Sequence, residues 1–297
     1  MTDHTRESST AASTEAFPIA SIVIPAHNEQ SVIGRTLSTL LENAAEGEFD
    51  IVVVCNGCND ATQSVSEEFA HRGVRTLSIE TASKIAALNA GDAVVSAMPR
   101  VYLDADVRIT AASVRKLVAT LAAGALVAAP RVQLDVEQCS TLVRAYFNVW
   151  SQLGHVSRGL GSGVYALSGE GRSKFDEFPH VMGDDYFIYC LVDDDERVSP
   201  VDAISTVVPP LTMKDLAKRR LRIEKGNSEI RSQSPSSSSG AGLVDVLKKQ
   251  PRLLPNAALY AGIHGWARLR VRGQSSAQVG WQRTDPQRPA SKGDSRP

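Results

Sequence analysis

The chain has 297 residues, 42% of them hydrophobic, 22% charged and 5% aromatic, and its 32 basic and 33 acidic residues leave a formal net charge of -1. This is globular composition, and the near-neutral balance gives no general reason to expect nucleic-acid binding. The balance is uneven along the chain. Met1 to Pro210 holds 15 basic and 27 acidic residues, whereas Leu211 to Pro297 holds 17 basic and 6 acidic, so an acidic body precedes a basic tail.

Met1 to Ala16 is rich in Ser, Thr and Glu, lacks the basic start and apolar middle of a secretory signal, and reads as a disordered leader. Ile19 to Pro25 is a β-branched apolar run ending at a proline, as a buried strand requires. A helix is predicted from about Glu29 to Glu46, with Val32, Ile33, Leu37, Leu40 and Leu41 at helical spacing. Asp50 to Cys55 is a second strand, Thr62 to Arg72 a helix, Val74 to Ile79 a third strand, Lys84 to Ala97 a helix and Arg100 to Leu103 a fourth strand. Such alternation with buried strands implies a mainly parallel sheet with helices on both faces.

Beyond Ile109 the pattern loosens. A helix (Ala112 to Ala122), a strand (Ala125 to Arg131), a helical stretch (Gln138 to Leu153) and a Gly-rich strand (Gly159 to Leu167) precede the segment GDDYFIYCL. A last strand near Ile204 to Val208 and a basic helix from Leu216 to Ile230 follow. The division expected is a leader over 1–16, a folded domain over 17–231, a Ser-rich linker over 232–242, a basic amphipathic helical segment over 243–273 and a disordered tail over 274–297. The uncharged stretch Leu117 to Pro130 is shorter than the roughly 20 apolar residues a membrane span needs. Four irregularly spaced cysteines suit a reducing cytoplasm better than a disulfide framework.

In open parallel sheets ligands sit at the carboxyl ends of the strands. Three chemically loaded segments fall there: AHNE after the first strand, NGCND after the second and DAD after the fourth. In Asp104-Ala105-Asp106 alternate side chains project to one side, so two carboxylates can converge on a hard cation whose shell substrate phosphates would complete. The alternative is a solvated turn. Cys55-Asn56-Gly57-Cys58 lacks the second half of a zinc site and is assigned to packing and turn geometry.

Taken in order, IVIPAHNE, NGCNDAT, Lys84 with ALNAGD, YLDAD, GSGVYALS, GDDYFIY and KRRLRIEKGN resemble the family 2 glycosyltransferases over about Ser21 to Asn227. The resemblance implies the α/β GT-A fold, a Rossmann-like, mainly parallel sheet with helices on both faces, here with a basic C-terminal helical tail. It also implies roles for individual residues. Pro25, Ala26, Asn28 and Glu29 match the loop around the nucleotide base and ribose, although Glu29 also suits the start of a helix. Asn56 and Gly57 stand where many relatives have an Asp-rich turn; Asn56 can still hydrogen-bond a base edge, and Asp60 can cap the next helix. Lys84 matches a lysine placed to meet the diphosphate, Asn89 and Gly91 shape the loop, and Asp92 touches the donor.

Asp104 and Asp106 then match the pair that holds a divalent cation, Mg2+ or Mn2+, on the donor phosphates, with Asp106 as direct ligand. Asp185 matches the base that takes the acceptor proton in inverting transfer, with Asp184 holding position; the pair also suits a helix start. Arg219 and Arg222 lie at i, i+3 in a diverged form of the QxxRW segment, Arg219 replacing Gln and Ile223 replacing Trp, which argues against a processive polymer synthase.

The expected activity is metal-dependent transfer of one sugar, with inversion, from a UDP, GDP or dTDP type donor to an acceptor hydroxyl, in glycan, glycolipid or cell-envelope synthesis. A lipid-linked acceptor would suit the tail, whose Lys248, Lys249, Arg252, Arg268, Arg270 and Arg272 can lie on an anionic membrane or cap the domain. A cytoplasmic location, membrane-associated or not, follows. The competing readings are a sugar nucleotidyltransferase, which would want a Gly-rich basic loop after the first strand, and a non-catalytic sugar-nucleotide-binding module.

Overall fold

The alternation of the first hundred residues becomes a wound sheet in the computed structural model of the chain, which describes residues 18–157, 159, 161–179, 183–233 and 240–272. Strands β1 (Ala20–Ala26), β2 (Phe49–Asn56), β3 (Val74–Ile79) and β4 (Arg100–Leu103) alternate with helices α1 (Ile33–Leu41), α2 (Thr62–Glu67) and α3 (Lys84–Val94). These strands are parallel in the order β3-β2-β1-β4, with Ile22 of β1 level with Ile51 of β2 and Val101 of β4. Side chains alternate across the sheet. Ile22 and Ile24 join Leu37 and Leu40 of α1 in one apolar cluster, and Val23 joins Leu88 of α3 in another. Each such fully buried side chain contributes about 1.5–3 kcal/mol of transfer free energy.

The rest of the chain is β5 (Arg108–Ile109), α4 (Ala111–Ala122), β6 (Val127–Ala128), β7 (Arg131–Leu134), α5 (Thr141–Trp150), α6 (Gly154–Ser157), β8 (Val164–Leu167), α7 (Gly169–Ser173), α8 (Asp184–Leu191), β9 (Arg197–Val198), β10 (Ile204–Val207), α9 (Met213–Gln233), α10 (Gly240–Lys249) and α11 (Leu254–Arg272). The main sheet reads β3-β2-β1-β4-β8-β6-β9, with β8 antiparallel to both neighbours, and β5-β10-β7 form a second, three-stranded sheet.

Two predicted elements change character. The strand expected over Ala125 to Arg131 divides at Pro130 into β6 and β7, which belong to different sheets. Proline offers no N–H to a ladder, so the chain leaves one sheet there and enters the other. The Gly-rich strand is only four residues long, because Gly159, Gly161 and Gly163 take φ of +85, +81 and +66 and form a loop that feeds β8.

The basic tail segment packs on the domain. Val246, Leu253, Ala257 and Tyr260 of the last elements share a third apolar cluster with Val143, Tyr146 and Phe147 of α5 and Leu216 of α9. The fold therefore continues well past Ile230. Residues 234–239 of the expected linker, the expected leader over 1–16 and the expected tail over 274–297 lie outside the described residues. No helix among the described residues is long and apolar enough to cross a membrane.

Candidate active site

A cleft lies beyond the carboxyl ends of β1, β2 and β4. Pro25 and Glu29 from the β1 end, Asn56 from the β2 end and Asp104 and Asp106 from the β4 end form one side. Lys84 at the start of α3, Asp185 in α8, and Arg219 and Arg222 in α9 complete the wall. Residues separated by up to about two hundred positions thus meet at one place, where an open parallel sheet exposes the loops after its strands.

Lys84 ties the acidic groups together. Its ammonium lies 2.6 Å from Asp104 Oδ1 and 2.7 Å from Asp184 Oδ1. Burial alone would lower its pKa, but the two carboxylates outweigh burial and hold it above the ordinary lysine value. Lys84 lines the cleft with its ammonium engaged by two protein carboxylates. Asp184 is buried and also accepts a hydrogen bond from the Tyr165 hydroxyl at 3.0 Å. It is fixed from two sides.

Asp185 lies next along α8, accepting from its neighbour's backbone, Tyr186 N–H, at 2.8 Å. Enclosure in the cleft, then the charge of Asp184, push its pKa up to about 6, with Asp104 adding to the rise and Lys84 opposing it. Asp104 is raised as well, by burial first, although Lys84 pulls against the rise. Across the cleft, burial and neighbouring Arg219 lower the pKa of Arg222, while Asp104, Asp106 and Glu29 work in the opposite sense. An arginine so placed keeps its charge, and the cleft sets cationic α9 against anionic strand ends.

Among the described residues no three His, Cys, Asp or Glu side chains converge as a ready-made metal cage. Asp104 and Asp106 line the cleft together at the end of β4. Two carboxylates without a third protein ligand fit a hard cation whose remaining positions are filled by substrate oxygens and water, and fit poorly a structural metal that needs closed coordination.

Ala26, Asn28 and Asp92 are not in the cleft wall. Ala26 is buried in β1, and its carbonyl accepts from Cys58 Sγ at 3.3 Å. Asn28 takes φ of +55, a conformation that asparagine tolerates, and its Oδ1 accepts from Asn59 N–H at 2.9 Å. Both residues, with Cys58, brace the β1 loop against the β2 loop. Asp60 accepts from Thr62 N–H at 3.0 Å at the start of α2. Asp92 is held beneath the sheet by Arg100, by Arg172 at 2.6 Å and by the Tyr102 hydroxyl at 2.8 Å, so its charge is balanced inside the fold instead of facing a donor. Asn89 binds both the N–H and the carbonyl of Phe178, at 2.9 and 3.2 Å, and so fixes the chain ahead of α8.

The sequence reading missed Tyr165 and the individual glycines of GSG. Tyr165 carried no signal beyond an apolar strand. Gly163 had one: its carbonyl accepts from Asp104 N–H at 2.8 Å, and a Cβ there would stand 2.5 Å from Val107 Cγ2 and 3.1 Å from Asp104 Oδ2. Only glycine lets this backbone pass beside Asp104.

Comparison with known proteins agrees with this architecture. The mannosyltransferase PcManGT from Pyrobaculum calidifontis, solved with GDP-Man and Mn2+, matches with a TM-score of 0.58 at 17% identity, over 89% of this chain and 77% of that one. Glucosyl-3-phosphoglycerate synthase from Mycobacterium tuberculosis, solved with Mn2+, UDP and glucosyl-3-phosphoglycerate, gives 0.51 at 22% identity over 74% and 81%. At such identities the likeness is one of fold. No curated protein matches the sequence. A sequence model described as glycosyl transferase family 2 matches residues 21–163, a segment that contains Asp104 and Asp106 and ends at Gly163. Over residues 21–163 the sequence is similar to glycosyl transferase family 2, and the fold is of GT-A type.

Proposed function

We propose that the protein is a metal-dependent inverting glycosyltransferase that moves a single sugar from a nucleoside-diphosphate sugar to an acceptor hydroxyl. The observation that supports this reading most directly is the meeting of Asp104 and Asp106, Asp185, and Arg219 with Arg222 in one cleft. In the proposed reaction the acceptor oxygen forms a bond to the anomeric carbon as the bond from that carbon to the diphosphate oxygen breaks. The acceptor proton passes to Asp185, and the electron pair leaves with the nucleoside diphosphate. A carboxylate with a pKa near 6 is ionised at neutral pH yet more basic than an ordinary aspartate, which suits that role.

Asp184, fixed by Lys84 and Tyr165, keeps Asp185 and the β4 end in register. Asp104 and Asp106 would hold Mg2+ or Mn2+, which when bound supplies positive charge to the diphosphate oxygens. Arg219 and Arg222 neutralise the same leaving group from the opposite wall. At the base end stand Pro25, Glu29 and Asn56. Asn56 Nδ2 is buried without a hydrogen-bond partner, a donor suited to an acceptor atom on a nucleobase. GDP-Man and UDP in the structurally similar enzymes support a nucleotide-sugar donor here; UDP, GDP and dTDP are the bases to test.

Calorimetric titration of UDP, GDP and dTDP, with and without Mn2+, tests the reading on the native protein and on Asp106→Ala. One diphosphate should bind tightly only with the metal, and the variant should lose that binding. Equal binding by both proteins would remove Asp106 from the metal site, and no binding of any diphosphate would remove the donor assignment.

A further inference from the structure

A second cavity opens off the cleft. It shares Gly161, Asp185, Val207, Arg219 and Arg222 with the first, so the proposed base stands in the wall between them. Beyond that wall the chemistry changes. Helix α5 supplies Tyr146, Phe147 and Trp150, α9 supplies Leu216 and Ile223, and Tyr186 follows Asp185 along α8. Its polar groups are Asp185, three arginines, the tyrosine hydroxyls and the Trp150 indole N–H, and the other side chains that line it are apolar. An apolar body laid against Phe147, the Trp150 ring, Leu216 and Ile223 would gain from burial.

The aromatic wall is held in place from behind. The Tyr146 hydroxyl is 2.9 Å from His264 Nε2, and its ring stacks on Tyr260 with centroids 4.9 Å apart, both partners lying in α11. Phe147 meets Trp150 edge-on at 5.5 Å. Arg220 is bonded to Glu224 at 3.1 Å, and Glu224 is 3.6 Å from Arg268 of α11. At the junction of the two cavities Gly161 takes φ of +81, and a Cβ there would stand 2.8 Å from Trp150 Cζ2. The backbone thus makes room for the tryptophan ring where donor and acceptor sides meet.

We propose that this cavity is the acceptor site and that it selects an acceptor with an apolar body, an aryl ring or an alkyl or prenyl chain, seated against Tyr146, Phe147 and Trp150 with its hydroxyl at Asp185. The assignment rests on the transferase reading and adds the acceptor's chemical class to it. It also gives the C-terminal helices a task, as the backing of the acceptor wall.

The test uses the full chain saturated with Mn2+ and whichever diphosphate binds. Methyl, phenyl and octyl β-glucoside, the last kept below its micelle concentration, share one hydroxyl-bearing group and differ only in the apolar body. Their binding is read by calorimetry and by tryptophan fluorescence. Phenyl or octyl glucoside should bind at least about ten-fold more tightly than methyl glucoside, as burial of several apolar groups requires. Trp150→Ala and Ile223→Asn should each remove most of that preference while retaining diphosphate binding, which also shows that each variant folds. Preference for octyl would assign a lipid-linked acceptor, and preference for phenyl a soluble aryl one. Equal binding of all three glucosides, or a preference untouched in both variants, would overturn the assignment while leaving the donor site standing. Failure of every diphosphate to bind would instead overturn the transferase reading and this assignment with it.

Discussion

The two sides of the cleft are built by different rules. The donor side is made of successive strand ends. Pro25, Asn56 and Asp104 arrive at one edge because β1, β2 and β4 are neighbours in a parallel sheet, and each loop follows its strand directly. The acceptor side is assembled from parts with no common address: a glycine loop before antiparallel β8, one turn of α8, the end of β10 in the second sheet, and faces of α5 and α9. The contrast teaches that strand-end chemistry is inherited from topology, whereas the acceptor wall depends on long-range packing that can change without disturbing the sheet.

Substitutions can break this comparison at chosen points. The largest effect is expected at Asp185→Asn, which should lower transfer about 10³-fold, within the range typical of a lost general base, while diphosphate binding stays within about two-fold. Full activity in that variant would remove Asp185 as the base. Gly163→Ala comes next, because it places a β-carbon against Val107 and Asp104 and strains a positive φ. A loss of about 3 kcal/mol is expected, or roughly 6–12 °C in melting temperature. Gly73→Ala shares a positive φ with nothing within 4 Å, so thermal melts of the two variants separate clash from backbone strain; equal shifts would refute the clash.

The electrostatics give a pair of smaller effects with a defined sign. Since Asp185 is raised to about 6 from its ordinary 3.8, transfer should fall as pH drops through about 6. A pH profile flat from 5 to 8 would contradict this. A carboxyl raised in the folded state binds its proton more tightly there than in the unfolded chain. Its unfavourable contribution therefore grows as pH rises from about 4 to 6 and is complete above that. Asp185→Asn should accordingly melt higher than the native protein at pH 8, by the equivalent of up to about 3 kcal/mol, and at the same temperature as the native protein at pH 4.

Tyr165→Phe should produce the smallest change. It removes one hydrogen bond to Asp184, worth about 1 kcal/mol, and should lower kcat by roughly 5-fold with diphosphate affinity unchanged. A change in affinity instead of kcat would place Tyr165 on the donor side.

Much of the donor side was legible because local patterns and strand order suffice for it. Short β-branched apolar runs separated by helical patterns placed β1 to β4, and DAD after β4 marked Asp104 and Asp106. The engagement of Lys84 was not legible. Nothing in ALNAGD says that its ammonium will meet Asp184, a hundred residues away. Asp92 was misplaced for the same reason, since Arg172, its second partner, lies eighty residues on.

The sequence by itself determined the wound sheet, the strand ends that hold the donor-side residues, and the acidic pair that opens α8. These follow from side-chain period, from turn chemistry and from the rule that loops follow strands. Only the tertiary structure decided which charges balance one another, that Gly163 passes beside Asp104, and that α5, α9 and α11 form an aromatic wall beside Asp185. Those outcomes depend on contacts between distant segments, and a contact of that kind leaves no periodic trace in either segment that makes it.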